Sequence, residues 1–137
     1  MNQIYLAGPL FSLAEIEFNQ RLCDYLISLG YKVFLPQNEC RGKEGREIFE
    51  TCENGINTSS VVLAILDGAD ADSGTCWECG YAYAKGLPII ALRTDFRQSG
   101  DTKGFNAMLY YTAAVTIDSP ENYREKVSEA LQKISTN

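Results

Sequence analysis

The sequence predicts an α/β protein built on one open, doubly wound sheet of five mostly parallel strands. Three observations carry that expectation. Short apolar runs alternate with longer stretches of helical periodicity, glycine or proline punctuates most of the changes, and the run Val61-Val62-Leu63-Ala64-Ile65-Leu66 is apolar throughout, as a strand covered on both faces has to be. Parallel strands joined by helices take right-handed crossovers, which puts helices on both faces of the sheet. With 137 residues and no linker-like stretch, residues 1–137 are read as one domain able to bury roughly two thirds of its unfolded surface.

Residues 4–7 make the first strand, stopped by Gly8-Pro9. Ser12 has the side-chain oxygen to cap a helix, and Glu15, three positions on, completes a capping box. That helix runs to about Leu29, with Phe18, Leu22, Tyr25, Leu26 and Leu29 on one face. Gly30 ends it, residues 31–35 form the second strand, and Pro36 closes that strand. Polar residues 37–45 read as a loop, and residues 46–56 as the second helix.

The third strand, residues 61–66, belongs in the middle of the sheet. A third helix follows over residues 73–85, closed by Gly86, then a fourth strand over 87–92 and a polar loop over 94–103. A short helix over 104–111 leads to the last strand at 113–117. The final helix starts at Ser119-Pro120, with serine as N-cap and proline in the first helical position, and buries Tyr123, Val127, Leu131 and Ile134.

Composition narrows the function. The formal charge is −6 and the 12 Lys and Arg residues are dispersed, so the basic footprint of a nucleic-acid polymer binder is missing. The opening Met1-Asn2-Gln3-Ile4 lacks the basic start of a signal peptide, and no apolar run nears the ~20 residues of a spanning helix. The chain is read as cytoplasmic, with no membrane partner. Its five cysteines are read as reduced thiols, several of them buried. Cys76-Trp77-Glu78-Cys79 is a C-x-x-C, but with no second pair and no His in the chain it makes a poor zinc site; a redox pair is the alternative. No metal or other cofactor is expected.

In such sheets ligands bind beyond the carboxyl ends of the strands, where the strand order reverses. The first strand runs into Gly8-Pro9-Leu10-Phe11, without the G-x-G-x-x-G of dinucleotide binding, and no G-x-x-x-x-G-K-[ST] occurs. The third strand runs into Asp67-Gly68-Ala69-Asp70-Ala71-Asp72-Ser73-Gly74-Thr75-Cys76-Trp77-Glu78, four carboxylates in twelve residues. A calcium loop of the EF-hand type needs glycine at its sixth position, where Asp72 stands, and an entering helix where a strand is expected. Glu78 falls about one turn into a helix whose N-terminus faces the cleft. There a carboxylate is either stabilised by the helix dipole or, partly desolvated, able to act as a nucleophile.

Three segments resemble the nucleoside 2-deoxyribosyltransferase family: Ile4-Tyr5-Leu6-Ala7-Gly8-Pro9-Leu10-Phe11, Asp72-Ser73-Gly74-Thr75-Cys76-Trp77-Glu78-Cys79-Gly80-Tyr81-Ala82, and Phe105-Asn106-Ala107-Met108-Leu109. The resemblance spans nearly the whole chain and implies a flavodoxin- or Rossmann-like fold. It implies an enzyme of deoxyribonucleoside salvage that moves 2-deoxyribose between nucleobases by double displacement, with 2'-deoxynucleosides and free bases as substrates. By the same resemblance Glu78 is the nucleophile and Tyr5 the hydroxyl that orients it. Phe11, which would otherwise be read as core, packs on the base. Asp72 binds the sugar end bearing the 5'-hydroxyl, and Gly74 in the same motif and Gly8 after the first strand are further substrate-binding candidates. Asn106, with Met108 beside it, reaches that end from a neighbouring subunit, so a homo-oligomer, dimer or hexamer, with shared active sites is expected.

One position departs from the family. Many members carry an Asp on the helix before the third strand, eight positions ahead of the one aligned with Ser60; this chain has Cys52 there, and Ser60 also replaces a common Asp. That acid is the group the family implies for protonating the leaving base, and Glu53 or Glu50 on the same helix are the substitutes at hand. Purine against pyrimidine preference stays open. Two rivals remain. A 2'-deoxynucleoside 5'-monophosphate N-glycosidase shares the region around the nucleophile, but Asp72 would repel a phosphate dianion. A non-catalytic nucleotide-binding module would not need Tyr5, Asp72, Glu78 and Asn106 together.

Overall fold

The computed structural model describes residues 3–98 and 100–137. Eleven elements alternate along them: β1 (Gln3–Ala7), α1 (Leu13–Ser28), β2 (Lys32–Phe34), α2 (Pro36–Glu39), α3 (Gly45–Asn57), β3 (Val61–Ile65), α4 (Ser73–Ala84), β4 (Ile89–Arg93), α5 (Ala107–Thr112), β5 (Val115–Asp118) and α6 (Tyr123–Thr136). The five strands lie in the order β2-β1-β3-β4-β5, every pair parallel. This is the flavodoxin-like order, which reverses between β1 and β3. Among the described residues no helix is long and apolar enough to cross a membrane.

Strand alternation sorts the core onto two faces. Ile4, Leu6, Leu63, Ile65, Ile90 and Leu92 point to one face, where Leu22 and Leu26 of α1 and Val127 and Leu131 of α6 cover them. Tyr5, Ala7, Val62, Ala64, Ile89 and Ala91 point to the other, under Ile56 of α3, Cys79 and Ala82 of α4 and Leu109 of α5. On that second face the register places Ala7 against Ala64 and Ala64 against Ala91. Three methyl groups in a row leave α4, which presents its own small Cys79 and Ala82, free to settle close to the sheet.

The boundaries follow the chain's local chemistry with three exceptions. Ser12 caps α1, its hydroxyl accepting from the Glu15 amide at 3.1 Å while Glu15 accepts from the Ser12 amide at 2.7 Å. Gly30 and Gly86 follow α1 and α4 at φ 94° and 77°, the left-handed region that glycine enters without a Cβ penalty. Leu29, expected on the buried stripe, is instead the C-cap of α1 and 45% exposed. Pro36 ends β2 but also opens α2 at its first position, inside the expected loop, because a fixed φ near −65° and a missing N–H suit the first turn of a helix. Ser119 does not cap the last helix: its hydroxyl accepts from the Glu121 amide at 3.2 Å and closes a turn, and α6 starts after Asn122, held at φ 56°. Asparagine tolerates that conformation better than most residues.

Candidate active site

The reversal between β1 and β3 puts the end of β1 and the start of α4 side by side. Tyr5, in the middle of β1, is fully buried and points to the face under α3 and α4. Glu78 lies six residues beyond Asp72, the N-cap of α4, and the close seat of that helix brings its carboxylate to the Tyr5 hydroxyl, which donates to Oε2. The phenol ring is held flat by Phe34 of β2, with centroids 5.1 Å apart and planes 13° from parallel. Phe34 in turn lies against Gly55 of α3, where a Cβ would come within 2.6 Å of its ring. A glycine inside that helix is what lets the ring fit.

Burial dominates the electrostatics. Glu78 is raised from the ordinary glutamate value of 4.5 to about 7, first by desolvation; the Tyr5 hydrogen bond pulls down, and the charge of Asp72 pushes up. A carboxylate poised near neutrality in a partly dry site is the state a nucleophile or proton-transfer group requires. Tyr5 is held far above the usual phenol range by burial and then by the negative charge of Glu78, so it stays a hydrogen-bond donor.

Asp72 closes the acidic loop onto the helix: its Oδ2 accepts from the Thr75 amide and hydroxyl, both at 3.0 Å. Gly74 sits under this cap, where a Cβ would come to 3.3 Å from the same oxygen. The loop is lashed from the β4 side. Asp67 accepts from the amide and hydroxyl of Thr94, each at 2.6 Å, and buried Arg93 donates to the carbonyls of Leu66 at 2.7 Å and Gly68 at 3.1 Å. The carboxylates of Asp67, Asp72 and Glu78 therefore serve three separate partners and do not converge on one centre. Sequence reasoning missed Arg93 and Phe34; a charged residue ending an apolar strand and a glycine inside a predicted helix were the available signals.

The remaining predicted residues fall on both sides of this pair. Gly8 follows β1, and a Cβ there would press on the Ile65 side chain at 3.2 Å. Buried Asn19 donates to the Pro9 carbonyl at 2.9 Å and fixes the turn that carries Phe11. Phe11 is 75% exposed, which rules out the core reading. Cys52 of α3 lies beside Tyr5, and burial pushes its thiol up to about 12, so it is no acid at neutral pH. Glu53 is turned about 100° further round the helix; Glu50 pairs with Arg46 at 3.7 Å on the exposed side. Asn106 caps α5, its Oδ1 accepting from the Met108 amide at 2.9 Å, and Met108 is 75% exposed. Both line a cavity of about 450 Å³ with Cys76, Gly80 and Thr112; neither Tyr5 nor Glu78 lines it.

The sequence profile of the nucleoside 2-deoxyribosyltransferase family matches residues 4–130. A conserved protein from Enterococcus faecalis is 27% identical, with a TM-score of 0.76, over 95% of this chain and 99% of its own. The 2-deoxyribosyltransferase of Bacillus psychrosaccharolyticus shares 22% identity and a TM-score of 0.75, covering 89% of this chain and 90% of its own. The CMP N-glycosidase of Clostridium botulinum shares 19% and a TM-score of 0.64, over 93% and 99%. A search of curated sequences returns no match. The chain belongs to the nucleoside 2-deoxyribosyltransferase family.

Proposed function

We propose that this member of the nucleoside 2-deoxyribosyltransferase family moves 2-deoxyribose between nucleobases through a deoxyribosyl ester of Glu78. The observation that supports it most is the Tyr5–Glu78 pair, a half-buried carboxylate titrating near neutrality with a hydroxyl donated to one of its oxygens. The Tyr5 bond occupies Oε2 and leaves Oε1 to attack the anomeric carbon. As that C–O bond forms, the C–N bond to the base breaks, and the base leaves with the electron pair and takes up a proton. A ring nitrogen of the incoming base then attacks the same carbon from the vacated side and gives up its proton, replacing the one the first base took up, as the ester bond breaks and the carboxylate returns. Two inversions give net retention. Tyr5 stabilises the carboxylate before attack and again as it departs from the sugar.

Asp72 and Gly74 mark the sugar end of the site. A carboxylate accepts a hydrogen bond from a neutral 5'-hydroxyl and repels a phosphate dianion, so free deoxynucleosides are favoured over their 5'-monophosphates. Phe11, exposed beyond the end of β1, is the aromatic surface for the base. Asn106 and Met108 line a cavity that the pair does not reach, and in our reading they serve the site of a neighbouring subunit in a homo-oligomer. The exposed apolar side chains of Leu13, Trp77, Met108 and Tyr111 are what such contacts would cover.

A panel of 2'-deoxynucleosides and their 5'-monophosphates, each with a second free base, tests the reading. Exchanged nucleoside and a deoxyribosyl mass increment on the peptide carrying Glu78 are expected. Release of free base from monophosphates alone, without exchange, would favour the hydrolase that the CMP N-glycosidase neighbour exemplifies.

A further inference from the structure

Two of the five thiols stand apart from the proposed chemistry yet lie against it. Cys40, the C-cap of α2, and Cys52, in α3, face each other with their sulfurs 3.6 Å apart, and both are half-buried. The other three have different surroundings. Cys23 and Cys79 are buried at 3% and 2% exposure in opposite cores, and Cys76 lies against the Ala71 carbonyl at 3.8 Å. Cys52 also lies beside the Tyr5 hydroxyl and within the field of Glu78. The chain between the pair turns through Gly42 and Gly45, both at positive φ.

We infer that Cys40 and Cys52 form a site of reversible oxidative modification, a disulfide made by hydrogen peroxide, which retunes the Tyr5–Glu78 pair. A disulfide needs its sulfurs about 2.05 Å apart, so closing the 3.6 Å gap takes a displacement of about 1.5 Å, within the reach of a side-chain rotation and a small loop shift. One thiol attacks peroxide, the O–O bond breaks, and a sulfenic acid and water result. The second sulfur attacks the first, expelling hydroxide, which combines with the displaced thiol proton as a second water. Each sulfur loses one electron and the peroxide gains two.

The bond removes the Cys52 thiol hydrogen and shifts its sulfur relative to the Tyr5 hydroxyl. Tyr5 loses a polar neighbour, and the strength of its donation to Glu78 changes with it. The effect on turnover rests on the reading of Glu78 given above; the formation of the bond does not.

The experiment compares reduced and peroxide-treated protein without substrate. Peptide mapping should find a Cys40–Cys52 link and a mass lower by about 2 Da, reversed by dithiothreitol. The titration midpoint of Glu78, followed by carboxyl 13C NMR, should move on oxidation in the wild type and stay fixed in peroxide-treated Cys40→Ser. A link between Cys76 and Cys79, a link between two chains, or no link overturns the proposal, as does a Cys40–Cys52 link that leaves the Glu78 midpoint where it was. If the link forms and Glu78 moves while no deoxynucleoside is processed, the redox site stands and the assigned reaction falls.

Discussion

The region around Tyr5 and Glu78 and the region around Asn106 and Met108, the two halves of the proposed site, are finished to different degrees. In the first, the side chains brace one another within the chain: Phe34 holds the phenol ring, the phenol holds one oxygen of the carboxylate, and the alanine row beneath α4 sets the distance between them. In the second, the Asn106 side chain caps its own short helix and Met108 stands exposed at the rim of a cavity. Groups proposed to do the chemistry, which must be held to a fraction of an ångström, are built on a buried strand and a packed helix. The groups proposed to be completed by a second subunit stand on a short surface helix.

The largest test of that contrast is Glu78→Ala, expected to lower base exchange by about 10⁴-fold or more, since a missing nucleophile has no substitute in the same geometry. An exchange rate within tenfold of wild type would remove the first half from the chemistry altogether. Tyr5→Phe keeps the ring stack and deletes the hydroxyl, for an expected loss of about 10- to 100-fold in kcat. Its pH profile carries the sharper information. With Glu78 titrating at about 7, activity should rise with pH through that value. Because the Tyr5 bond lowers the Glu78 value, its removal should move the limb upward. A limb that stayed in place would mean another group controls it.

Asn106→Ala should raise KM by about 2- to 10-fold, the worth of one neutral hydrogen bond. If the two halves meet only between subunits, refolding Glu78→Ala and Asn106→Ala chains together should give more activity than the mean of the two parents, since hybrid oligomers contain one intact site. Activity no higher than that mean would place both halves in one chain.

The smallest effect concerns stability. Burial raises the Glu78 value above the ordinary 4.5, so the stability this group contributes is fully present below about 4.5 and is lost as pH rises through about 7. Glu78→Gln should therefore melt higher than wild type at pH 8, with the difference shrinking toward pH 4.5. Asp72→Ala works the other way, losing the α4 cap and about 1 kcal/mol while moving the activity limb down in pH.

The contrast also tells which parts were legible beforehand. Strand order, the α1 capping box and the position of Glu78 relative to the third strand follow from periodicity, caps and the rule for parallel sheets, all local or topological signals. Glu78 stands out by its place in the helix as either a dipole-stabilised carboxylate or a nucleophile, and the family resemblance chooses between them; Tyr5 is named through the resemblance alone, since nothing in Ile4-Tyr5-Leu6 separates a functional phenol from a core one. The stack of Phe34 on Tyr5, the bracing by Arg93 and the approach of Cys40 to Cys52 join residues far apart in sequence through tertiary packing, which no periodicity reports. Phe11, which composition alone would put in the core and the family resemblance puts on the base, stands exposed because it lies past the end of β1.

Gly55 extends the consequence beyond the site. With no side chain there, the edge of the Phe34 ring works as a gauge block between α3 and the sheet: it sets how high the helix rides, and so where Cys52 stands relative to Tyr5. Any attempt to re-engineer position 52, for instance by restoring an acid to change base preference, inherits that spacing. The tolerance available to a designer at Cys52 is written three residues away, in an atom that is not there.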